Sequence, residues 1–368
     1  MTQKIFSSTF TPASAGNVLN IVPRNVGLIM GFWVKVTATV SAAGGSAAAT
    51  LSPIGAANIL SQIVFTDLNN YTRINTAGWH LNMVNSAKGH HPWGGVFTST
   101  AYPSGYGNGF AVMSASNPTA GGANGNIEMW YYVPLAYHSK DLRGAVYANV
   151  INATMNLQLT LNSNPVAAAG VDPTLAIYAG GTAATGGTVT TATVTVYQDF
   201  LDQLPVGKNG VILPMQDLST IYELKNTALV GLTTGLDFPI PYTNFRSFLS
   251  TCAVFDNFGA SVASPGADVN YWAIQSANFT NIMQIEPHLV ALRARNKIMS
   301  DFAISSAFNV AAYYFDHRDK PINTVQYGNM ELILNPAGTL AANPVVLLGY
   351  EDMGLQNTII PAGSLPGG

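Results

Sequence analysis

Runs with a period of two dominate this chain, and that spacing leaves little room for anything but a β protein. Val34-Lys-Val-Thr-Ala-Thr-Val40 and Met155-Asn-Leu-Gln-Leu-Thr-Leu161 alternate apolar with polar residues, so each buries one face of a strand and wets the other. Thr188-Val-Thr-Thr-Ala-Thr-Val-Thr-Val196 is almost wholly β-branched, which suits a pleated backbone. Apolar runs at 17–22, 59–65 and 127–133 complete a first series of strands. A second series follows at 221–232, 248–255, 269–274, 310–315, 325–334 and 345–350.

Between the two series lies Tyr197-Gln-Asp-Phe-Leu-Asp-Gln-Leu-Pro-Val-Gly-Lys-Asn-Gly-Val-Ile-Leu-Pro214. Pro205, Gly207, Gly210 and Pro214 resist continuing a regular element, so the stretch reads as a connector between two β-rich halves. It keeps Phe200, Leu201, Leu204, Val211, Ile212 and Leu213, unlike a flexible Gly/Ser linker, and is expected to be pinned against both halves.

Three segments break the β pattern. Trp79, Met83, Val84 and Ala87 fall on one helical face within 76–88. Ser139 as N-cap, with Asp141 in the first turn and Leu142, Val146 and Val150 every four residues, predicts a short helix over 139–150. Glu286-Pro287 opens another, running to about Met299 with Leu289, Leu292 and Met299 on one side. Each half thus has several strands, a short late helix and closing strands. The predicted class is all-β, two consecutive sandwiches of one type, with the eight-stranded jelly roll the leading candidate. The expected divisions are an N-terminal arm 1–16, a first roll 17–200, the connector 201–216, a second roll 217–352 and a C-terminal arm 353–368.

Only 9% of the 368 residues are charged and 48% are hydrophobic, whereas an ordinary soluble domain is about 25% charged. No run of about 18 uninterrupted apolar residues occurs, so no spanning helix is expected. Few charges and many Thr, Ser, Asn and Ala suit extensive protein–protein contact, because interface cores are depleted in charge. A secreted β-sandwich with a neutral surface fits the same composition. The net charge of −3 gives no general attraction to nucleic acid. Cys252 is the only cysteine, so no internal disulfide exists, and its apolar surroundings predict a core residue. The first ten residues lack the basic and apolar regions of a secretory leader, so folding in a cytoplasm is expected. The Asn-x-Thr triplets at Asn70, Asn152 and Asn278 then carry little weight.

Catalytic constellations are scarce. No Gly-x-Ser-x-Gly elbow, His-Glu-x-x-His or phosphate-binding Gly-x-x-x-x-Gly-Lys-[Ser/Thr] occurs. The glycines at 105–109 and 121–125 lack a strand-to-helix context. His90 and His91, with His80 nearby, have no carboxylate or cysteine to complete a metal site, and a structural loop anchored by Trp93 outweighs one. Asp316-His-Arg-Asp-Lys-Pro321 is the densest charge cluster. An Asp/His/Asp group there has acid–base potential, yet in a chain so poor in charge it is expected to fix a local or subunit contact. Arg293, Arg295 and Lys297 make too small a basic patch for nucleic acid. Glu128 and Glu331 both lie in strand-like runs far apart in sequence, and nothing positive supports them as a glycosidase pair. No cofactor is expected.

Several segments resemble a known family. They are Gly78-Trp-His-Leu-Asn-Met-Val-Asn-Ser-Ala-Lys88, Tyr132-Val-Pro-Leu-Ala-Tyr137, Gly144-Ala-Val-Tyr-Ala-Asn-Val150, 197–214, Asp217-Leu-Ser-Thr-Ile-Tyr222, Ala253-Val-Phe-Asp-Asn257 and Arg318-Asp-Lys-Pro-Ile-Asn-Thr-Val-Gln-Tyr-Gly-Asn329. In this order, over about 17–350, they resemble the major capsid proteins of tectiviruses, tailless bacteriophages with an internal membrane. The resemblance implies a double jelly roll in a virion shell, made in the host cytoplasm and without enzymatic activity. It implies homotrimers of hexagonal outline that tile icosahedral facets, meeting penton and minor capsid proteins, with no direct nucleic-acid contact. It further implies an N-terminal arm that reaches the internal membrane, for which Lys4, Ile5 and Phe6 are the candidates. Members of the family carry a longer, Gln-rich arm, whereas about 16 residues precede the first strand here. Pro205, Gly207, Gly210 and Pro214 are the structural candidates of the connector, and Asp316, Arg318, Asp319 and Lys320 the expected charge network near a subunit boundary. The loops at 89–126 and 166–187 are candidates for tower or inter-trimer contacts. The competing class is a two-domain carbohydrate-binding or adhesin protein using Trp93, Tyr102 and Tyr106 as a sugar platform.

Overall fold

Strand alternation builds the first roll from β1 (Thr2–Phe10), β2 (Val18–Ile21), β3 (Leu28–Ala43), β4 (Thr50–Leu51), β5 (Leu60–Thr66), β6 (Thr72–Thr76), helix α1 (Gly78–Ala87), β7 (Ser114–Ala115), β8 (Gly125–Pro134), β9 (Val146–Tyr147), β10 (Asn156–Leu161), β11 (Tyr178–Ala179) and β12 (Gly186–Leu201). The second comprises β13 (Thr220–Val230), β14 (Asp237–Ile240), β15 (Arg246–Asp256), β16 (Val269–Ser276), β17 (Phe279–Ile285), α2 (Pro287–Ile298), β18 (Ile304–Ser305), β19 (Val310–Asp316), β20 (Ile322–Asn323), α3 (Thr324–Tyr327), β21 (Met330–Pro336) and β22 (Val345–Leu355). This computed structural model describes residues 1–12, 17–44, 48–52, 54–88, 114–119, 122–138, 141–150, 153–202, 220–230, 237–240, 246–257, 269–276, 279–298, 304–305, 310–337, 340 and 344–355.

One layer of the first roll is a six-stranded sheet in the order β1-β12-β3-β8-β7, with β9 beside β3. Phe32, Val34, Val36 and Val40 of β3 and Val194 and Val196 of β12 point into the core. Facing it are β6, β5, β10 and β2, part of a ten-stranded sheet in the order β18-β19-β15-β22-β13-β6-β5-β10-β2. The second roll's other layer is β14-β21-β16-β17. The two rolls therefore share a sheet, joined where β13 runs parallel to β6 with Leu224 opposite Ile74 and Lys225 opposite Asn75.

The shared sheet is buried on both sides in its second-roll half. Ala253, Phe255, Tyr313, Val346 and Leu348 pack inside the second roll. Their neighbours Cys252, Val254, Tyr314 and Leu347 face the other way and join the first roll's core. That explains why β15 reads as a continuous apolar run rather than an alternating one. It also places Cys252 in the core, as its sequence surroundings predicted.

Several expectations need correction. Residues 2–10 are not an arm outside the packed structure: they form β1, paired antiparallel with β12 from Thr2 opposite Asp199 to Phe10 opposite Ala192. The outer edge of β12 would otherwise leave a row of backbone groups unpaired, and the Phe6/Ser8/Phe10 alternation supplies an inward face. Of Lys4, Ile5 and Phe6, the first is exposed and the other two pack against the first core.

The helix expected over 139–150 is absent from 141–150, which turns and then pairs Val146 and Tyr147 with β3. Arg73 donates to the Gly144 carbonyl at 2.7 Å, and Gly144 has φ +88°, a backbone setting that interrupts a helix. The strand expected over 325–334 starts only at Met330, because α3 occupies its beginning and Gly328 turns the chain with φ +67°. In α2 the side bearing Leu289 and Leu292 faces solvent, and among the described residues Pro287 and Val290 are buried. β12 continues through Leu201, so the connector begins later than 197. Pro205, Gly207, Gly210 and Pro214 lie outside the described residues, as do 89–113, Ser139, Met299 and 356–368. Met353 and Gly354, expected in a C-terminal arm, belong to β22 opposite Tyr222 and Ile221.

Candidate functional site: the seam between the rolls

Helix α1 is the wedge of the seam. Residues Gly78 to Ser86 are all buried, including His80, Asn82 and Asn85, so the helix has no solvent face. One side meets the first roll, and the other meets the shared sheet. His80 Nδ1 lies 2.7 Å from the Thr76 hydroxyl, and its ring packs against Gly349 of β22. Desolvation pushes the imidazole pKa down to about 3, only partly opposed by Glu351, so His80 is neutral.

Lys88 follows the last turn of α1 and points into the second roll. Its ammonium lies 2.5 Å from Glu351 Oε1, with side-chain exposures of 3% and 0%. It also donates to the Tyr222 hydroxyl at 2.9 Å and the Tyr137 carbonyl at 3.0 Å, and sits 4.2 Å above the Tyr222 ring. Tyr222 and Ser250 donate to the two oxygens of Glu351 at 2.8 and 2.7 Å. Burial alone would raise the Glu351 carboxyl, but Lys88 and then Arg318 hold it below its ordinary value. Burial conversely pulls the Lys88 ammonium down, against the attraction of Glu351.

A second cluster lies beside it. Glu223 of β13, fully buried, meets Arg246 of β15, the Tyr71 hydroxyl of the first roll and Lys225. Arg246 also reaches Asp352 at 3.4 Å and donates to the Ile221 carbonyl at 3.2 Å. Desolvation raises the Asp352 carboxyl to about 7 despite Arg246, with Glu223 adding to the rise. Burial and Glu223 push Tyr71 up to about 12. Farther along, the Thr174 hydroxyl of the first roll donates to Asp256 at the end of β15.

Of the expected charge network, Arg318 and Asp316 do meet: the guanidinium donates to both carboxylate oxygens at 2.9 and 3.1 Å. Arg318 also reaches the Ala87 carbonyl of α1 at 3.4 Å, so the pair touches the intrachain seam. Asp319 and Lys320 sit exposed on the turn, and the backbone of Lys320 donates to the His317 carbonyl. Glu128 pairs with Lys35 at 2.9 Å in the six-stranded sheet, and Glu331 lies exposed in the four-stranded one. Among the described residues no cluster of three metal-ligating side chains exists, and His90, His91, Trp93, Tyr102 and Tyr106 lie outside them.

Sequence reasoning missed Lys88, Glu223, Arg246 and Glu351 as a group. The available signal was charge inside apolar strands: Glu223 within 221–224 and Glu351 directly after 345–350. In so weakly charged a chain, each such residue requires a buried partner.

Two family models cover nearly all of the chain: P3 major capsid protein N-terminal over residues 2–204, and P3 major capsid protein C-terminal over 219–366. The chain is 40% identical over 365 residues to major capsid protein P3 of Enterobacteria phage PRD1, covering 99% of this chain and 89% of that protein. Among solved structures, a chain of Sulfolobus Turreted Icosahedral Virus shares the fold at TM-score 0.60 and 12% identity, over 96% of this chain and 90% of that one. The PBCV-1 virus capsid chain does so at TM-score 0.56 and 12% identity, over 96% and 94%.

Proposed function

The chain belongs to the P3 major capsid protein family, and on that premise we propose that it builds a phage virion shell as ring-closed homotrimers that tile icosahedral facets. It is a structural protein of the capsid, not an enzyme, and its fold is the double jelly roll. The observation that carries the reading is the seam. A shared sheet, the buried Lys88–Glu351 ion pair and the Tyr71–Glu223 hydrogen bond join the two rolls into one block. Three two-lobed blocks in a ring give six lobes, hence a hexagonal outline suited to close tiling.

The Lys4/Ile5/Phe6 proposal narrows to Lys4. Its exposed ammonium is suited to the headgroups of an internal membrane, while Ile5 and Phe6 are committed to the core. Lower flotation of Lys4→Glu with anionic vesicles checks this. Contacts with penton and minor capsid proteins are assigned to shell assembly rather than to the trimer. Residues 356–368 are the proposed contributors, as they follow the last ladder pair, Thr220 with Leu355.

Light scattering on the purified chain tests the central reading. A stable species of about three times 38.8 kDa, with hexagonal outlines in negative stain, is expected. A monomer at every concentration would overturn the trimer, and binding on a glycan array without self-assembly would favour the adhesin class.

A further inference from the structure

We propose that the outer face of the six-stranded sheet is the surface on which a second copy of this chain docks. The proposal rests on the trimer reading and adds the face that makes the contact.

The strand register fixes what this face presents. Facing away from the core, β3 carries Trp33, Lys35, Thr37 and Thr39, and β12 carries Thr193, Thr195 and Tyr197. Glu128 and Trp130 of β8 flank them on one side, and Ser7 and Thr9 of β1 on the other. Trp33 lies 4.7 Å from the Tyr132 ring, and Trp130 stacks with Tyr197 at 6.1 Å. One end of the face is therefore aromatic and the rest is hydroxyl.

Most of these hydroxyls have already found partners. Ser7 bonds Thr195 at 3.1 Å, Thr9 bonds Thr193 at 2.7 Å, Ser41 bonds Thr188 at 3.0 Å, and Thr39 donates to Asn126 at 3.1 Å. Lys35 and Glu128 pair with each other at 2.9 Å, and Lys35 lies 5.5 Å from the Trp130 ring. Thr2 donates to Asp199 at the margin, where exposed Lys4 stands opposite Tyr197. Polar groups paired within the surface lose little when water leaves, whereas unpaired ones lose a full hydrogen bond. This sheet can thus be covered at low desolvation cost.

Size and charge select the occupant. Four long strands at ~4.8 Å spacing and about nine residues at ~3.3 Å each give a flat area on the order of 600 Å². A standard interface takes about 800 Å² of accessible surface from each partner, so the face is the right scale for a folded protein. Inside its Lys4 margin the face carries the Lys35–Glu128 pair, whose charges neutralise each other and give no net attraction to nucleic acid or to an anionic membrane. The chain itself, 9% charged, is the partner of matching character. In a ring of three the contact is heterologous, so this face meets a different face of the neighbour.

Thr37→Lys and Thr193→Glu, each on the face, are compared with Gln62→Lys, an exposed residue of β5 on the other sheet. Scattering mass is read together with the melting transition. The face variants are expected to fall about three-fold in mass at micromolar concentration while still melting cooperatively, and Gln62→Lys to match wild type. Face variants that keep the wild-type mass overturn this inference and leave the trimer standing. A wild-type chain that is always monomeric overturns both. Hydroxyl-radical footprinting of the unaltered protein gives a reading independent of variant folding. Trp33, Trp130 and Tyr197 should be protected in the assembled species relative to diluted monomer, and equal labelling would overturn the proposal.

Discussion

The His80 ring packs directly on the backbone of Gly349, so that a methyl group at position 349 would lie 2.2 Å from His80 Cδ2. A helix of one roll thus meets the bare backbone of a strand of the other through the His80 ring. Gly349→Ala forces His80 or β22 to move. Overpacking of this kind costs about 1–3 kcal/mol, read as a lower denaturant midpoint. Adding His80→Ala should recover part of the loss, since the two residues are in contact.

The Lys88–Glu351 pair predicts an asymmetric response. Lys88→Met leaves a buried carboxylate without its cation and should cost about 3–5 kcal/mol. The double variant Lys88→Met/Glu351→Leu should be less destabilised than Lys88→Met alone. Equal losses in the single and double variants would mean that the charge left behind does not drive the effect.

His80 and Asp352 predict opposite pH slopes. The His80 pKa falls from 6.5 to about 3 on folding, so its contribution is present above pH 6.5 and is lost as pH drops toward 3. The Asp352 pKa rises from 3.8 to about 7, so its contribution is present below pH 3.8 and is lost as pH rises through 7. Between pH 5 and 6 the two contributions change with pH in opposite directions and oppose each other. Asp352→Asn removes one of them. Its melting temperature should fall more steeply than that of wild type as pH is lowered from 6 to 5.

Arg318→Ala removes the fork onto Asp316 and the contact with Ala87 inside one chain. Losing charge-assisted bonds of this type costs about 1.5–3 kcal/mol. The melting temperature should drop by a few degrees while the scattering mass stays the same. A fall in mass would place Arg318 at a subunit boundary instead.

A C-terminal truncation should separate folding from assembly. Ending the chain after Leu355 spares every β13–β22 ladder pair, whereas ending it after Asp352 removes those of Met353, Gly354 and Leu355. The longer form should melt like wild type yet yield fewer shells, and the shorter should also melt lower. Normal particle yield from the longer form would deny the tail an assembly role.

Much of this was readable in the chain itself. Period-two alternation at 34–40 and 155–161 determined those strands and which face of each is buried, because neighbouring side chains in a strand point to opposite sides, and β-branched composition determined the strand at 188–196. Trp79, Met83 and Val84 located α1, and the poverty of charge pointed to contact rather than catalysis. Tertiary structure alone decided how the pieces meet. Residues 2–10 read as an arm until the bare edge of β12 is present to pair with them. Leu142, Val146 and Val150 keep helical spacing, yet the register against β3 and the Arg73 bond to Gly144 override it. His80 stood out in the sequence only beside His90 and His91, and Lys88, Glu223 and Glu351 did not stand out as a group, because burial of a polar group depends on a partner far away in sequence. Lys88 and Glu351, far apart in the sequence, become an ion pair only once the shared sheet brings the two rolls together.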